Sequence, residues 1–226
     1  MTKIIPPSPN VREYTQDEKY LAIRKANEAP IFDRDDPFAL FADWMVEARA
    51  NEPNDSNAMA LATVDKDGLP DVRMVLLKGV DEKGFVFFSH GQSAKGQELA
   101  HTAKAALNFH WKSLRRQIRI RGSVQEVTTE EVVGYFATRA RDSQIGAWAS
   151  RQSTEMESRD AFEQALADYT QKFEGGDVPL PDGWKGWRVT PLQIEFWRDK
   201  PFRLHDRLEF RRENLSQGWT KRRLYP

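Results

Sequence analysis

Residues 58–89 of the chain read AMALATVDKDGLPDVRMVLLKGVDEKGFVFFS, and this stretch decides the fold class. Its apolar runs, Ala58–Val64, Val72–Gly79 and Phe85–Ser89, are separated by DKDG and DEKG. Short apolar runs bounded by Asp and Gly are typical of strands joined by tight turns. The stretch therefore predicts consecutive strands that pair in an antiparallel sheet.

The strand pattern continues toward the C-terminus. In Gln117–Val127, the apolar Ile118 and Ile120 alternate with polar residues, which is the period of two expected of a half-buried strand. The other predicted strands are Ala105–Trp111, Gly186–Val189, Gln193–Arg198, Leu204–Phe210 and Trp219–Arg223.

Helices are interspersed among these strands. Asp36 followed by Pro37 is a helix start, because Asp caps the first turn and Pro fits its first position. Thr128 with Glu131 three residues later is a capping box. Further helices are predicted over Ser93–Thr102 and Ser158–Phe173. Many strands joined by turns, with helices between some of them, predict an α+β fold built on an antiparallel barrel.

Length and composition predict one domain preceded by an arm. A chain of 226 residues suits a single domain better than two. Residues 1–35 are polar, interrupted by prolines and without clear periodicity, so we expect a mobile N-terminal arm. Residues 36–226 are then the single folded domain.

Charge and cysteine content exclude several classes of protein. The 34 basic and 34 acidic residues balance, which argues against a general binder of nucleic acid. The sequence has no cysteine, which excludes disulfide scaffolds, cysteine-based zinc sites and thiol nucleophiles. The four histidines have no spacing typical of metal ligands, so we predict no metal site. With no long apolar run, we expect a soluble cytoplasmic protein without a membrane partner.

Two groups of polar residues are candidate anion sites. Lys95 follows Ser93 at a predicted helix start, where backbone N–H groups and a cation together favour a phosphate. Arg203, His205 and Arg207 alternate along a predicted strand, so they share one face and repel each other unless an anion lies beside them. The alternative is a solvated strand edge. From the residues alone, the prediction stops at an α+β protein with several candidate anion sites.

Several segments taken together resemble the pyridoxine/pyridoxamine 5′-phosphate oxidase family. They occur in the family's order between residues 36 and 226, and the most specific are SQIGAWASRQS and RLHDR. The matching segments are RMVLLKG (73–79), FFSHGQSAKGQEL (87–99), WKSLRRQIRIRG (111–122), YFATRARDSQIGAWASRQS (135–153), VPLPDGW (178–184), IEFW (194–197) and RLHDR (203–207).

This resemblance implies an FMN-binding split barrel that works as a homodimer with shared active sites. It implies oxidation of pyridoxine 5′-phosphate and pyridoxamine 5′-phosphate to pyridoxal 5′-phosphate. The substrate would give a hydride from C4′ to flavin N5, and dioxygen would reoxidise the flavin and form hydrogen peroxide. The amine substrate would also release ammonia.

The resemblance also assigns site residues. The FMN ligands fall on Arg73, Met74, Val75, Leu76, Leu77, Lys78, Phe88, Ser89, Lys95, Gln117, Gln152, Ser153, Trp197 and Arg207. Of these, Gln152 and Ser153 are expected from the partner subunit. The substrate ligands fall on Lys78, Tyr135, Arg139, Ser143, Arg203 and His205. Arg203 and His205 are expected to be the catalytic pair, because they would hold the pyridine ring in place for hydride transfer.

Three alternatives are considered beside this family. A related oxidase of a phenazine precursor would have no use for a phosphate pocket formed by Tyr135, Arg139 and Ser143. A non-catalytic flavin- or haem-binding split barrel would not need both Arg203 and His205. A nucleic-acid binder that uses the basic stretch 112–121 is disfavoured by the balanced total charge.

Overall fold

The structure is a computed structural model that describes residues 9–226. The chain divides into two compact units. Unit 1 comprises the described part of Met1–Asn57 together with Asn108–Ile120 and Leu192–Pro226, and unit 2 comprises Ala58–Leu107 and Arg121–Pro191. That residues 36–226 form a single domain therefore remains a prediction.

Helices and strands alternate irregularly along the described chain. The helices are α1 (Val11–Gln16), α2 (Glu18–Ala26), α3 (Pro37–Asn51), α4 (Ala94–His101), α5 (Thr129–Ala137), α6 (Arg141–Ala149) and α7 (Arg159–Lys172). The strands are β1 (Ala58–Val64), β2 (Pro70–Leu76), β3 (Gly79–Asp81), β4 (Gly84–His90), β5 (Lys104–Trp111), β6 (Arg116–Glu126), β7 (Trp184–Arg198), β8 (Asp206–Arg211) and β9 (Thr220–Arg223). Between residues 9 and 226, no helix has the length and hydrophobicity to cross a bilayer.

The strands form one sheet in the order β2-β1-β5-β6-β7-β4-β3, with β8 paired to both β7 and β9. The pairs β1–β2, β3–β4, β4–β7, β7–β8 and β8–β9 are antiparallel. Asp65 fixes the turn between β1 and β2, because its Oδ1 accepts hydrogen bonds from the N–H groups of Asp67 and Leu69 at 2.9 and 2.8 Å. The predicted β1–β2 pairing and the two turns are confirmed. The predicted strand Val72–Gly79 is not continuous, because β2 ends at Leu76 and Gly79–Asp81 forms the separate strand β3, which pairs with β4.

The predicted helix starts are also confirmed. The side chain of Asp36 accepts a bond from Phe38 N–H at the start of α3. Thr128 and Glu131 form the capping box of α5. These starts are predictable because a cap depends only on residues within one turn of it.

The core of unit 1 is built around α3. Phe41 packs edge-on against Phe109 with ring centroids 5.3 Å apart, and Trp44 packs at a right angle against Phe196 at 5.2 Å. All of these rings are buried. Unit 2 contains a second apolar cluster. Its buried members are Phe136, Ile145, Ala147 and Val178.

Residues 11–26 differ from the expected arm, because they form α1 and α2. Tyr14 and Tyr20 are buried, and Asn27 ties the arm to unit 1. Its Nδ2 donates to Leu114 O at 2.9 Å, and its Oδ1 accepts from Arg116 Nε at 2.7 Å. The sequence analysis predicted no helix in this segment, and its mobility stays a prediction. The anchors are two tyrosines and one amide rather than an apolar stripe, so no helical periodicity marks them.

Helix α6 and the short strand β3 were not predicted. Helix α6 starts at Arg141, and the side chain of its N-cap residue, Ala140, makes no capping bond, so the sequence carries no start signal there. Strand β7 is continuous from Trp184 to Arg198, where the sequence predicted two strands. The two predicted strands left out residues 190–192, but Pro191 inside a strand costs one ladder hydrogen bond rather than the whole strand.

Candidate active site

A buried lysine is the centre of a polar cluster in unit 2. Lys95, in the first turn of α4, is only 6% exposed. Its Nζ lies 2.9 Å from Gln152 Oε1 and 3.3 Å from both Ser89 Oγ and Ser93 Oγ. Burial and the nearby positive charge of Arg73 lower the pKa of Lys95. An anion bound beside the Lys95 ammonium would stabilise the charged form of this side chain.

The start of α4 is shaped by its own sequence. Ser93 caps the helix, because its Oγ accepts a bond from Gly96 N–H. A Cβ on Gly96 would lie 2.2 Å from Gly91 O, so only glycine lets the helix start this close to the preceding loop. The N-terminal N–H groups of α4 and the Lys95 ammonium therefore lie together, which is the arrangement that binds phosphate.

Arg73 on β2 lies beside this cluster. Its Nη2 is 2.9 Å from Glu98 Oε2 and 2.5 Å from Asp71 Oδ2, and its Nη1 also contacts Thr63 Oγ1. The hydrogen bond from Arg73 lowers the pKa of the Asp71 carboxyl. Two carboxylates thus hold the guanidinium in one orientation at the edge of the cluster.

A cavity of about 550 Å³ opens beside Lys95. This volume lies in the range of small-molecule sites. The cavity is lined by residues 71–76 and by Lys78, Phe88, Ser89, Ala94, Lys95, Tyr135, Arg139, Gln152, Ser153 and Trp184. Two predicted ligands in unit 2 are not part of this lining: Leu77 is buried and Ser143 is exposed.

Aromatic rings form one wall of the cavity. Phe88 and Tyr135 stack with centroids 4.1 Å apart and planes 15° from parallel. Lys78 Nζ lies 5.8 Å from the centroid of the Tyr135 ring. The predicted substrate ligands Lys78 and Tyr135 are therefore neighbours.

Arg139 has a donor that the protein leaves unused. Its guanidinium lies over the Trp184 ring, with Cζ 4.3 Å from the centroid. Burial lowers the pKa of Arg139, and among the described residues its buried Nη1 finds no hydrogen-bond partner. An unsatisfied buried donor is costly, so the site suits a ligand that accepts from it. The sequence analysis missed Trp184 as a site residue; only its place in the segment VPLPDGW marks it.

The remaining predicted site residues belong to unit 1. There Arg207 Nε lies 2.7 Å from Glu195 Oε1, and Arg119 Nη1 lies 3.1 Å from Glu195 Oε2. The bond to Glu195 raises the pKa of Arg207. The sequence analysis assigned the counter-charge of Arg207 to a ligand, whereas the structure supplies it from the buried Glu195. Gln117 lies on β6 in the same unit.

The prediction that Arg203, His205 and Arg207 share one strand face is wrong. A single turn of 3₁₀ helix covers Pro201–Arg203, and β8 begins only at Asp206. Phe202 and Arg203 have φ angles of 58° and 63°, in the left-handed region that extended strands exclude. Arg203 and His205 are therefore presented by a loop.

His205 is partly buried against Trp197. Its ring lies 4.6 Å from the Trp197 ring, and its Nδ1 accepts a bond from Lys200 N–H at 3.2 Å. Burial lowers its pKa, and nearby Asp199 opposes this shift. The same Nδ1 lies 3.3 Å from Asp199 Oδ1, and this acceptor favours a proton on Nδ1, whereas the Lys200 N–H favours a proton on Nε2.

The structure thus gathers most of the predicted ligands into two sets. Unit 2 holds the cavity set, and unit 1 holds Gln117, Trp197, Arg203, His205 and Arg207. The sequence analysis assigned Gln152 and Ser153 to the partner subunit. In the structure, Gln152 of the same chain bonds to Lys95 and Ser89.

Comparisons with known proteins identify close relatives. The sequence profile described as "Pyridoxamine 5'-phosphate oxidase" matches residues 45–173, and the one described as "Pyridoxine 5'-phosphate oxidase C-terminal dimerisation region" matches residues 184–226. A protein of Rhodopseudomonas palustris strain TIE-1 named pyridoxine/pyridoxamine 5′-phosphate oxidase is 67% identical over 192 residues, which are 85% of this chain and 91% of the relative. A Nitrobacter winogradskyi protein of the same name is 66% identical over 84% of this chain and 90% of its own length.

Two solved structures share the fold. PhzG of Burkholderia lata 383, in complex with tetrahydrophenazine-1-carboxylic acid, has a TM-score of 0.80 and 28% identity, covering 86% of this chain and 94% of that one. A pyridoxamine 5′-phosphate oxidase-related, FMN-binding protein of Nostoc punctiforme has a TM-score of 0.67 and 16% identity, covering 84% and 98%. The predicted α+β fold with an antiparallel split β-barrel is confirmed.

Proposed function

The chain belongs to the pyridoxine/pyridoxamine 5′-phosphate oxidase family, and on this premise we propose that it oxidises pyridoxine 5′-phosphate and pyridoxamine 5′-phosphate to pyridoxal 5′-phosphate. Dioxygen is the electron acceptor and becomes hydrogen peroxide, and the amine substrate also releases ammonia. The observation that carries this proposal is the pair of cationic groups, Lys95 and Arg139, that line one cavity. Reaction of a phosphorylated substrate with a phosphorylated cofactor requires two such anion sites.

The cofactor is FMN, and the residues at Lys95 fit its phosphate. Lys95 is a buried cation whose hydrogen-bond partners are neutral oxygens of Ser89, Ser93 and Gln152, so a phosphate there would meet a charge that these partners do not neutralise. Arg73, Ser89, Lys95, Gln152 and Ser153 would hold the FMN phosphate. When bound, FMN accepts two electrons from the substrate and passes them to dioxygen.

The substrate phosphate is proposed to lie at Arg139. The unpartnered Nη1 of this residue would donate a charge-assisted hydrogen bond to a phosphate oxygen. Tyr135 on α5 lines the same cavity, and Lys78 lies beside the Tyr135 ring. The trio would bind the phosphate and leave the pyridine ring free to react.

Arg203 and His205 are proposed to orient the pyridine ring. The lowered pKa favours the neutral form of His205, so its ring can hydrogen-bond to the substrate without adding a second full positive charge beside Arg203. Such a pair acts by holding the substrate in a reactive orientation. The protein works as a homodimer, and residues 184–226, which include this pair, form the family's dimerisation region.

An anaerobic titration tests the proposed function. Pyridoxine 5′-phosphate added to the FMN-loaded protein should bleach the visible flavin band, and air should restore it with formation of hydrogen peroxide. Pyridoxine without a phosphate is the control and should bleach the band far more slowly. A flavin band that pyridoxine 5′-phosphate leaves unchanged would contradict the proposal.

The cellular location is a further part of this proposal. We place the enzyme in the cytoplasm, as the sequence analysis expects. Fractionation of cells that produce the protein, followed by assay of pyridoxine 5′-phosphate oxidation in each fraction, tests this placement. Activity concentrated outside the cytoplasmic fraction would contradict it.

A further inference from the structure

One buried arginine in unit 2 lies outside the cavity and joins two elements that line it. Arg188 on β7 is 7% exposed. Its Nη1 lies 2.5 and 2.6 Å from the two carboxylate oxygens of Asp81, and its Nη2 lies 2.7 Å from Glu131 Oε1. A single guanidinium thus connects the end of β3 to the first turn of α5.

The bond to Glu131 acts on the helix that presents Tyr135 and leads into Arg139. Glu131 and Tyr135 are four residues apart on α5, so they lie on one helix face, and Arg139 follows in the turn after the helix ends at Ala137. The other carboxylate oxygen of Glu131 accepts from Thr128 N–H at 3.1 Å. Glu131 therefore caps the helix with one oxygen and fixes it to β7 with the other.

The bond to Asp81 acts on the segment that presents Lys78. Asp81 also organises the turn after β3, because its Oδ1 accepts from the N–H groups of Lys83 and Gly84 at 2.8 and 3.1 Å. In the sheet, Arg188 lies opposite Val86, whose carbonyl accepts from Lys78 N–H at 2.8 Å. Val86 therefore connects Arg188 to the backbone of Lys78.

We propose that Arg188 is a positioning residue that sets the distance from Lys78 to Tyr135 on α5 and to Arg139 just after this helix, and with it the fit of the substrate phosphate. This proposal rests on the proposed function. Apolar packing of Val132 and Phe136 holds α5 against its surroundings but has no directional preference. The two ion pairs of Arg188 add direction, since hydrogen bonds from a planar guanidinium are defined in angle as well as distance.

A purely structural role makes a different prediction. If Arg188 served only to stabilise the fold, its loss would lower the melting temperature and leave substrate affinity intact in the folded fraction. If it positions the pocket, its loss would raise the KM for pyridoxine 5′-phosphate in protein that is folded and loaded with FMN. Separate measurement of KM, kcat and the melting temperature therefore distinguishes the two roles.

The test uses three variants of the FMN-loaded enzyme. Arg188→Met removes both ion pairs, and Glu131→Gln keeps a side-chain oxygen for Thr128 N–H but removes the charge that Arg188 binds. We expect both to raise the KM for pyridoxine 5′-phosphate by about 10- to 100-fold, the scale of a small misplacement of a binding group, with kcat within about twofold of wild type. Thr128→Ala is the matched control: it weakens the cap of the same helix, leaves the Arg188–Glu131 pair intact, and should lower the melting temperature without changing the KM.

The outcomes separate this proposal from the proposed function. A wild-type enzyme that fails to oxidise pyridoxine 5′-phosphate would overturn the function itself. An active wild type with an unchanged KM in Glu131→Gln would overturn the role of Arg188, even if Arg188→Met does not fold. A KM increase in Thr128→Ala as large as that in Glu131→Gln would also overturn it, because helix stability rather than the ion pair would then set the pocket.

Discussion

Lys95 and Gln152, which are 57 residues apart in sequence, meet through a hydrogen bond of 2.9 Å between Nζ and Oε1. The lysine is buried and shares this oxygen with Ser89, whose hydroxyl also donates to it at 2.9 Å. A buried ammonium whose hydrogen bonds go to neutral groups gains strongly from an anion. This relationship makes Lys95 the residue on which FMN binding is expected to depend most.

Substitution of Lys95 by methionine should weaken FMN binding. The variant loses a charge-assisted hydrogen bond worth about 1.5–3 kcal/mol, so we expect the dissociation constant of FMN to rise by about 10- to 100-fold. Quenching of flavin fluorescence on binding measures it. Lys83→Met, in the exposed turn before β4, is the control and should bind FMN like wild type. Equal affinity of both variants would remove Lys95 from the phosphate site.

Substitution of Arg139 by alanine should act on substrate rather than on cofactor. Loss of its bond to the substrate phosphate should raise the KM for pyridoxine 5′-phosphate by about 10- to 100-fold, which corresponds to about 1.5–3 kcal/mol. Steady-state peroxide production gives the KM, and flavin absorbance gives the FMN content, which should stay unchanged. Arg159→Ala, on the exposed face of α7, serves as the control. An unchanged KM in Arg139→Ala would show that the phosphate binds elsewhere.

Removal of the His205 ring should reduce turnover and spare the flavin. His205→Leu loses the hydrogen-bonding ring nitrogens and the contact with Trp197, so kcat/KM for pyridoxine 5′-phosphate should fall by about 10- to 100-fold, as expected when an orienting group is lost. Arg203→Leu should lower kcat/KM by a similar factor. Stopped-flow reduction of the flavin under anaerobic conditions measures the effect. Loss of bound FMN in either variant would instead assign these residues to the cofactor.

His90 should make stability depend on pH. Burial, and then the positive charges of Lys95 and Arg139, lower its pKa below the usual 6.5. The unfolded chain therefore binds a proton at His90 at a higher pH than the folded protein does, so stability decreases as the pH falls below about 6.5. We expect the melting temperature to drop less for His90→Asn than for wild type between about pH 7.5 and about pH 5.5. Equal drops in the two proteins would contradict this role of His90.

Asn27 should anchor the N-terminal helices. Asn27→Ala removes bonds to Leu114 O and Arg116 Nε and leaves the buried Arg116 partly unsatisfied, which should cost about 1–3 kcal/mol of unfolding free energy. Urea denaturation measures this loss. Limited proteolysis should also cleave the chain between residues 10 and 35 faster than in wild type. Asn51→Ala, at the exposed end of α3, is the control; a cleavage rate in Asn27→Ala that matches this control would mean that the arm is held by other contacts.

The structure confirms the predictions that depend on a few neighbouring residues. The Asp65 turn, the Asp36 cap and the Thr128–Glu131 capping box each form as predicted. The start of β8 shows the limit of such reasoning. Alternation in RLHDR predicts a strand face, but Phe202 packs its ring 5.0 Å from Tyr14 of the N-terminal helix α1, and the backbone of Phe202 and Arg203 takes left-handed angles. A contact with a residue so distant in sequence leaves no periodic signal in the local pattern.

The sequence by itself determined where the turns and most helix caps lie, the α+β class, and the family to which the chain belongs. The turns and caps follow from backbone preferences within one turn, and the family follows from motifs that occur in a fixed order along the chain. Only the tertiary structure decided the partners: Glu195 for Arg207, Trp184 for Arg139, and both Asp81 and Glu131 for Arg188. Side-chain pairing depends on which elements pack together. Elements far apart in the chain pack by burying apolar surface, and because this driving force is non-directional, the local sequence does not show which elements it brings together.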